Sequence, residues 1–577
     1  MKLLSKYLRK YKIYILLCFV SAFGFVFTEI GIPTLFAQGI SNNFMNINTG
    51  YILSLAFKMF LCAVIGLVLL LFLAYASNRV TSKIVKDMRN DIFSHIQTFS
   101  RDEYEEFNIS RLITNIVNDC YIVMQFLIMI IRIGFVAPMM FISSFFLIYK
   151  ESPKIAYLTI SVIPLLLIGV YFINKSTRIL SKKQQKKLDK INQNMRESLT
   201  GLRVIRAFNR EDFQYDKFGD INNDYEKYSK KLFQKVALIS PVFTVVFSIL
   251  MIVVVYLGAS YVNQGILQVG SLSAFIEYVF HALFSFLILA NVLVMYPRFS
   301  VAVNRIYKIL NTSSSIYTKE ENDLKITNGK IEFKNVSFAY SDSSKEYVIE
   351  NINFSVNPGE TIAFIGSTGS GKSTLVRLIP RIFDISKGQI LIDDKDIRSY
   401  NLDELRKNIS FVPQKAVLFS GTIKENLLFG NREASQKELE FAVDIAQAKE
   451  FIESKENKYE EVLSEGGTNL SGGQKQRLCI ARALTRRVPI YIFDDSFSAL
   501  DYKTDALLRN RLKKDIKNST FLIVAQRVAT IMDADKIFVL NNGAIAGEGT
   551  HRELLLNNEI YREIAESQLS KEELGYE

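Results

Sequence analysis

Six long apolar stretches dominate the first half of this chain, near 13–38, 52–77, 122–148, 155–174, 236–261 and 270–296. Each has about the length of ~20 residues that a helix needs to cross a bilayer. The clearest is Phe60 to Ala76, FLCAVIGLVLLLFLAYA, and the run ISPVFTVVFSILMIVVVYLGA ending at Ala259 is nearly as continuous. Buried helices of a large soluble core would give shorter runs, ~10–14 residues, with amphipathic flanks. The pattern therefore predicts an all-α transmembrane domain of six helices.

Charge follows the same division. Residues 1–310 hold 34 Lys and Arg against 18 Asp and Glu, a net +16, whereas residues 311–577 hold 36 against 40, a net −4. The overall +12 is thus no nucleic-acid signal, and no nucleic-acid partner is expected. The excess lies on the half that carries the apolar runs, where cytoplasmic loops retain basic residues. The N-terminal tail has Lys2, Lys6, Arg9, Lys10 and Lys12 with no acid, while the loops 41–50 and 261–270 carry no charge. This orients the N-terminus to the cytoplasm and the neutral loops outward. A hydrophobic content of 49% excludes global disorder, and four cysteines (Cys18, Cys62, Cys120, Cys479) form no disulfide framework. The first apolar run is too long for a cleaved signal peptide and is read as retained.

Two cytoplasmic connections, about 78–121 and 175–235, are long, charged and helical in period. They read as membrane helices that continue into the cytoplasm as rods, each pair joined by a short transverse segment; a coiled-coil stalk is the alternative. Inside the spans lie Glu29, Arg132, Glu277 and His281. Intramembrane ionisable groups are costly, so each is a functional candidate. Glu277 and His281, four apart, share a helix face. A structural pair between packed helices, or a span boundary drawn too far, competes with the functional reading.

The apolar content falls after Pro297, and 311–328 reads as a polar linker between a transmembrane domain (1–310) and a soluble domain (329–577). The strand alternation of IEFKNVSFAY is followed by short apolar strands between helical segments, which predicts an α/β nucleotide-binding fold. Its decisive feature is GSTGSGKST, residues 366–374, between the apolar strand TIAFI and the apolar helix LVRLI. That is a phosphate loop in its required context. Backbone N–H groups of Ser367, Thr368, Gly369, Ser370 and Gly371 can close around phosphate oxygens, and the helix N-terminus adds its dipole. Lys372 reaches the β/γ-phosphates, and Ser373, followed by Thr374, supplies a hydroxyl for Mg²⁺. A second apolar strand, from Ile490, ends in Asp494-Asp495, where the Mg²⁺-binding acid is expected. ATP and Mg²⁺ are the predicted cofactors.

Ser471-Gly472-Gly473-Gln474 after Leu470, followed by KQRLCIARAL, resembles the signature of ATP-binding cassette (ABC) proteins. The resemblance covers essentially the whole chain: six spans ahead of one cassette, as in half-size ABC exporters of the type IV architecture. It implies that Tyr340 stacks on adenine and that Gln414 is the Q-loop residue touching Mg²⁺. It also assigns Ser464–Gly467 to the loop that meets the coupling helices, Ser498–Asp501 to the D-loop, and 201–211 to the stretch around the second coupling helix. In such proteins two cassettes face head to tail, so Ser471 and its glycines would hold the partner's γ-phosphate. A dimer in the cytoplasmic membrane of a bacterium is implied, contacting lipid and moving a hydrophobic small molecule, lipid or peptide.

Two positions depart from the family pattern. The general-base glutamate is replaced by Asp495, one methylene shorter, and misplaced catalytic groups cost on the order of 10²-fold. The switch histidine is replaced by Gln526, which hydrogen-bonds but cannot carry a proton. Both losses strike the same composite site, while the signature donated to the partner is intact. The chain thus resembles the degenerate-site subunit of bacterial heterodimeric exporters, whose partner would be a different half-transporter with Glu and His in place. A homodimer with slow hydrolysis and an ATP-gated channel or sensor are the alternatives.

Overall fold

The computed structural model describes residues 2–43, 49–316, 324–340 and 346–570. Part of the neutral loop 41–50 and part of the linker 311–328 lie outside the described residues. The chain divides into two compact units, Met1–Gln97 with Ile109–Thr312, and Thr98–Asn108 with Ser313–Glu577.

The described residues of the first unit are helical almost throughout. A short helix α1 (Lys2–Lys10) precedes α2 (Lys12–Asn43) and α3 (Thr49–Ile96). After the short α4 (Arg101–Phe107), which belongs to the second unit, come α5 (Ile109–Thr114) and α6 (Cys120–Glu151), joined by a π-helical turn. Then follow α7 (Pro153–Thr200), α8 (Leu202–Ala207), α9 (Glu211–Ala237), α10 (Ile239–Asn263) and α11 (Val269–Asn311). Five helical stretches are long and apolar enough to cross a membrane: Lys12–Ser41, Thr49–Ile96, Ile109–Glu151, Glu211–Asn263 and Val269–Leu289. The remaining expected span, near 155–174, lies on α7, and several of its side chains are outside the described residues.

The long connections are continuations of membrane helices. On α3 the buried positions Leu73, Ala76, Val80, Ile84, Met88, Ile92 and Ile96 recur at helical spacing from the apolar run into the charged one. One packed stripe thus holds a single helix across both environments. Helix α1 is fixed on this rod: Tyr7 and Lys6 donate to Asp91 at 2.8 and 3.2 Å, and Tyr11 and Lys10 donate to Asp87 at 3.0 and 2.5 Å. The second pair of rods, α7 and α9, is tied by Lys187 to Asp224, Gln184 to Ser229 and Gln214 to Ser198. Helix α8 joins their tips, and Leu202, Val204 and neighbouring Phe208 are exposed.

In the second unit, a six-stranded sheet runs in the order Ala544–Gly549, Lys536–Asn541, Thr361–Gly366, Thr520–Val524, Ile490–Asp494, Ile409–Val412. All its pairings are parallel except that of the first edge strand. An antiparallel sheet containing Ile331–Phe338, Ile349–Val356 and Lys387–Ile392 packs on it. Phe354 links the two sheets, its ring centroid 5.6 Å from Phe364 and 5.0 Å from Phe538. In the parallel sheet, Thr520–Val524 is flanked by Thr361–Gly366 and Ile490–Asp494, with Val524 opposite both Phe364 and Asp494. This register brings the phosphate loop and the paired aspartates to the same carboxyl edge, where parallel α/β sheets hold ligands.

Candidate nucleotide site

The loop of residues 366–371 leaves the strand end as a tight cradle. Gly366 has φ +152°, and a Cβ there would meet the carbonyl oxygen of Leu540 at 2.1 Å, so only glycine fits. Gly371, at φ +93°, caps the helix Lys372–Leu378 in the left-handed region. Ser367, Thr368 and Gly369 are exposed on the loop, and Ser370 is buried against it. Lys372 donates from Nζ to the carbonyls of Gly366 at 2.8 Å and Ser367 at 2.7 Å and to Ser370 Oγ at 3.2 Å. Burial pulls its pKa down, opposed by the carboxylates of Asp495 and Asp494. Its ammonium therefore sits inside the ring of backbone that it would share with phosphate.

Ser373 donates from Oγ to Asp494 Oδ1 at 2.5 Å, and Arg377 donates to Asp494 Oδ2 at 2.9 Å. Asp494 is fully buried. Arg377 escapes a motif reading, although its place four residues after Ser373 on the same helix face was a usable signal. Asp495 follows in the left-handed region at φ +51°, a conformation that a short polar side chain tolerates. Its N–H donates to the Val524 carbonyl at 3.0 Å. Gln526 and Gln414 both donate from Nε2 to Asp495 Oδ2, at 2.8 and 3.2 Å. Burial pushes the Asp495 pKa up and the Asp494 charge adds to it, while the two amides pull it back.

The fit of a divalent ion to this site is judged from its donors. Ser373 Oγ, Asp494 and the amide oxygen of Gln414 are hard oxygen ligands of the kind Mg²⁺ takes. Ser373 bonds Asp494 and Gln414 bonds Asp495, so the donors converge and the set fits the ion.

Tyr340, expected beneath adenine, is 42% exposed. Its hydroxyl bonds Thr374 Oγ1 at 2.7 Å, and its ring stands edge-on to Phe338 and Phe383. Beside it opens a cavity of about 640 Å³. The guanidinium of Arg101, on α4, lies 5.4 Å from the Tyr340 centroid and 5.3 Å from that of Phe383. No sequence signal pointed to this cation–π contact across more than two hundred positions. Helix α4 is anchored by buried Glu103, which accepts from Ser100 N and Oγ at 2.7 and 2.5 Å and from Ser315 N at 3.0 Å.

Ser471 caps the helix Gly472–Leu484: its Oγ accepts from Gln474 N at 3.3 Å, and Gln474 Oε1 accepts from Ser471 N at 3.0 Å. Ser471 and Gly472 lie exposed, and Gly473 follows half-buried. Their bonds close on the cap itself. Ser498 Oγ donates to the Asp495 carbonyl at 2.9 Å, fixing the following loop to the aspartate.

Fold and site together define a membrane transport protein driven by a nucleotide-binding domain. A model of the ABC transporter transmembrane region matches residues 15–310, and one of the ABC transporter domain matches residues 349–498. The chain belongs to the ABC transporter family, and its second unit is an ATP-binding domain. It is 35% identical over 515 residues to the uncharacterized ABC transporter ATP-binding protein YfiB of Bacillus subtilis, covering 88% of this chain and 89% of that one. A putative export ATP-binding/permease protein of Rickettsia prowazekii is 32% identical, with 98% of each chain covered. A solved bacterial Atm1-family ABC exporter with ATP bound shares the fold, at TM-score 0.83 and 22% identity, covering 98% of this chain and 99% of that one.

Proposed function

We propose that the chain is one half of a heterodimeric ATP-driven exporter, and that its own ATP site holds nucleotide far longer than it turns it over. The observation that carries this reading is the Asp495 carboxylate, one oxygen of which already accepts from both Gln414 and Gln526. A general base must take a proton from water at hydrogen-bond reach. Here the base is a methylene short and tied to two amides, and the switch position offers no proton-carrying ring. Lys372, the loop amides of 367–371, Ser373 and Thr374 would bind the triphosphate, and Tyr340 the base. Ser373, Asp494 and Gln414 would hold Mg²⁺, which neutralises charge on the phosphates when bound.

A partner of complementary design is supported by what this chain leaves uncovered. The cap of the helix Gly472–Leu484 is exposed at Ser471 and Gly472, as is the apolar tip of α8 at Leu202 and Val204. Both suit a second half-transporter, which on this reading carries Glu and His at the positions of Asp495 and Gln526. The apolar spans support a reading in which the assembly sits in the cytoplasmic membrane of a bacterium and exports a hydrophobic or amphipathic substrate.

The test is ATP turnover by the purified full chain in nanodiscs. Bound ATP recovered intact after many minutes is expected. Turnover on the order of 1 s⁻¹ or faster, ordinary for enzymes, would overturn the degenerate-site reading and leave a homodimeric exporter.

A further inference from the structure

Three of the four ionisable residues that the sequence places within spans meet in one cavity of the first unit. Glu29 on α2, Arg132 on α6 and His281 on α11 all line a space of about 390 Å³, within the ~300–1,000 Å³ usual for small-molecule sites. Glu277 is exposed and does not line it. The remaining wall is apolar apart from Ser285, with Leu73, Met140, Phe280 and Phe284 prominent.

Charges at membrane depth are ordinarily neutralised by pairing. Glu29 and Arg132 have opposite sign and share this cavity, yet among the described residues they form no ion pair with each other. Nor does either side chain make a hydrogen bond among those residues. Two opposite charges held apart in an apolar chamber form a dipolar receptor. A lipophilic cation would meet Glu29 and be repelled by Arg132, and a lipophilic anion would meet the reverse. A neutral apolar solute would leave both charges unsolvated. A molecule with one positive and one negative group satisfies both at once.

We propose that this cavity binds a zwitterionic amphiphile, with its cationic group at Glu29, its anionic group at Arg132 and its apolar body against Phe280, Phe284 and Met140. His281 supplies a hydrogen-bonding edge. This names a substrate class for the exporter reading and rests on that reading only for the word substrate; the binding site itself does not depend on it.

The chain contains no tryptophan, so Phe284→Trp places a single intrinsic reporter in the wall. The full chain carrying it, in nanodiscs without nucleotide, is titrated with dodecylphosphocholine, dodecyltrimethylammonium and dodecyl phosphate, which share one tail. The zwitterion should bind about tenfold tighter than either singly charged probe. Glu29→Gln should abolish its advantage over the anion, Arg132→Gln its advantage over the cation, and Arg132→Lys should keep both. Where a neutralised variant does not fold, the exchange Glu29→Arg with Arg132→Glu preserves the charges and should preserve the preference. Equal affinity for all three probes, or a preference that survives both neutralisations, overturns the proposal. Hexylphosphocholine separates two sources of the same chemistry: affinity that falls with the shorter tail marks a bilayer lipid, and affinity that holds marks a soluble zwitterion. Because no nucleotide is present, failure here leaves the turnover experiment on the ATP site untouched.

Discussion

Gln526 donates its Nε2 to Asp495 Oδ2 at 2.8 Å, and that oxygen also accepts from Gln414. The residues that the family resemblance puts at the switch and general-base positions are therefore bound directly to each other. Both lone pairs of that oxygen are engaged by amides, which leaves Oδ1 as the oxygen open to a proton from water. The two departures from the family pattern act as one constraint.

Restoring both positions should release it. Asp495→Glu with Gln526→His should raise ATP turnover about 10²-fold, and either change alone much less, because the two groups work on one water. Phosphate release from the purified chain with its partner's site inactivated checks this. Additive single effects would contradict the coupling.

Lys372 bridges two carbonyls of the phosphate loop, holding the cradle in shape and supplying its only lysine ammonium. Lys372→Met should weaken ATP binding by about 10²-fold, as expected when a hydrogen bond to a charged group is lost at ~1.5–3 kcal/mol. Equilibrium binding of a fluorescent ATP analogue reads the loss, and thermal melting checks that the fold persists.

Arg377 neutralises one oxygen of the fully buried Asp494. Its own side chain is 26% exposed, so Arg377→Met should cost about 2 kcal/mol of nucleotide-free stability, less than the ~3–5 kcal/mol of a fully buried pair. Added Mg²⁺ should recover part of that loss, since the metal takes over the freed oxygen. A melting series with and without Mg²⁺ measures both effects.

Glu103 anchors α4 through Ser100 and Ser315. Burial opposes its charge, but the hydrogen bonds outweigh burial and hold its pKa below the ordinary value. A carboxylate with a depressed folded pKa stabilises fully above the unfolded value of ~4.3, and that stabilisation is lost as pH falls through the lower folded value. Glu103→Ala should release α4 at neutral pH, with a loss of about 1–3 kcal/mol from the stranded Ser315 N–H. Hydrogen exchange over residues 98–108 follows the release, and the wild type should show it only in acid.

Chain sequence alone determined that the first half is a series of long apolar helices, the charge division between halves and the order of the nucleotide motifs. Each of these is written in local periodicity or in short runs whose chemistry needs consecutive residues, as in Gly366–Thr374. The substitutions Asp495 and Gln526 were equally legible, being single letters in a recognisable frame. Only the tertiary structure decided which groups meet: Gln414 and Gln526 on one oxygen of Asp495, Arg377 on Asp494, Arg101 against Tyr340. It likewise gathered Glu29, Arg132 and His281 from three helices into one cavity and left Glu277 outside, although Glu277 and His281 share a face. Periodicity fixes which face of a helix is apolar, but the packing of whole helices and the register of parallel strands determine which distant side chains meet.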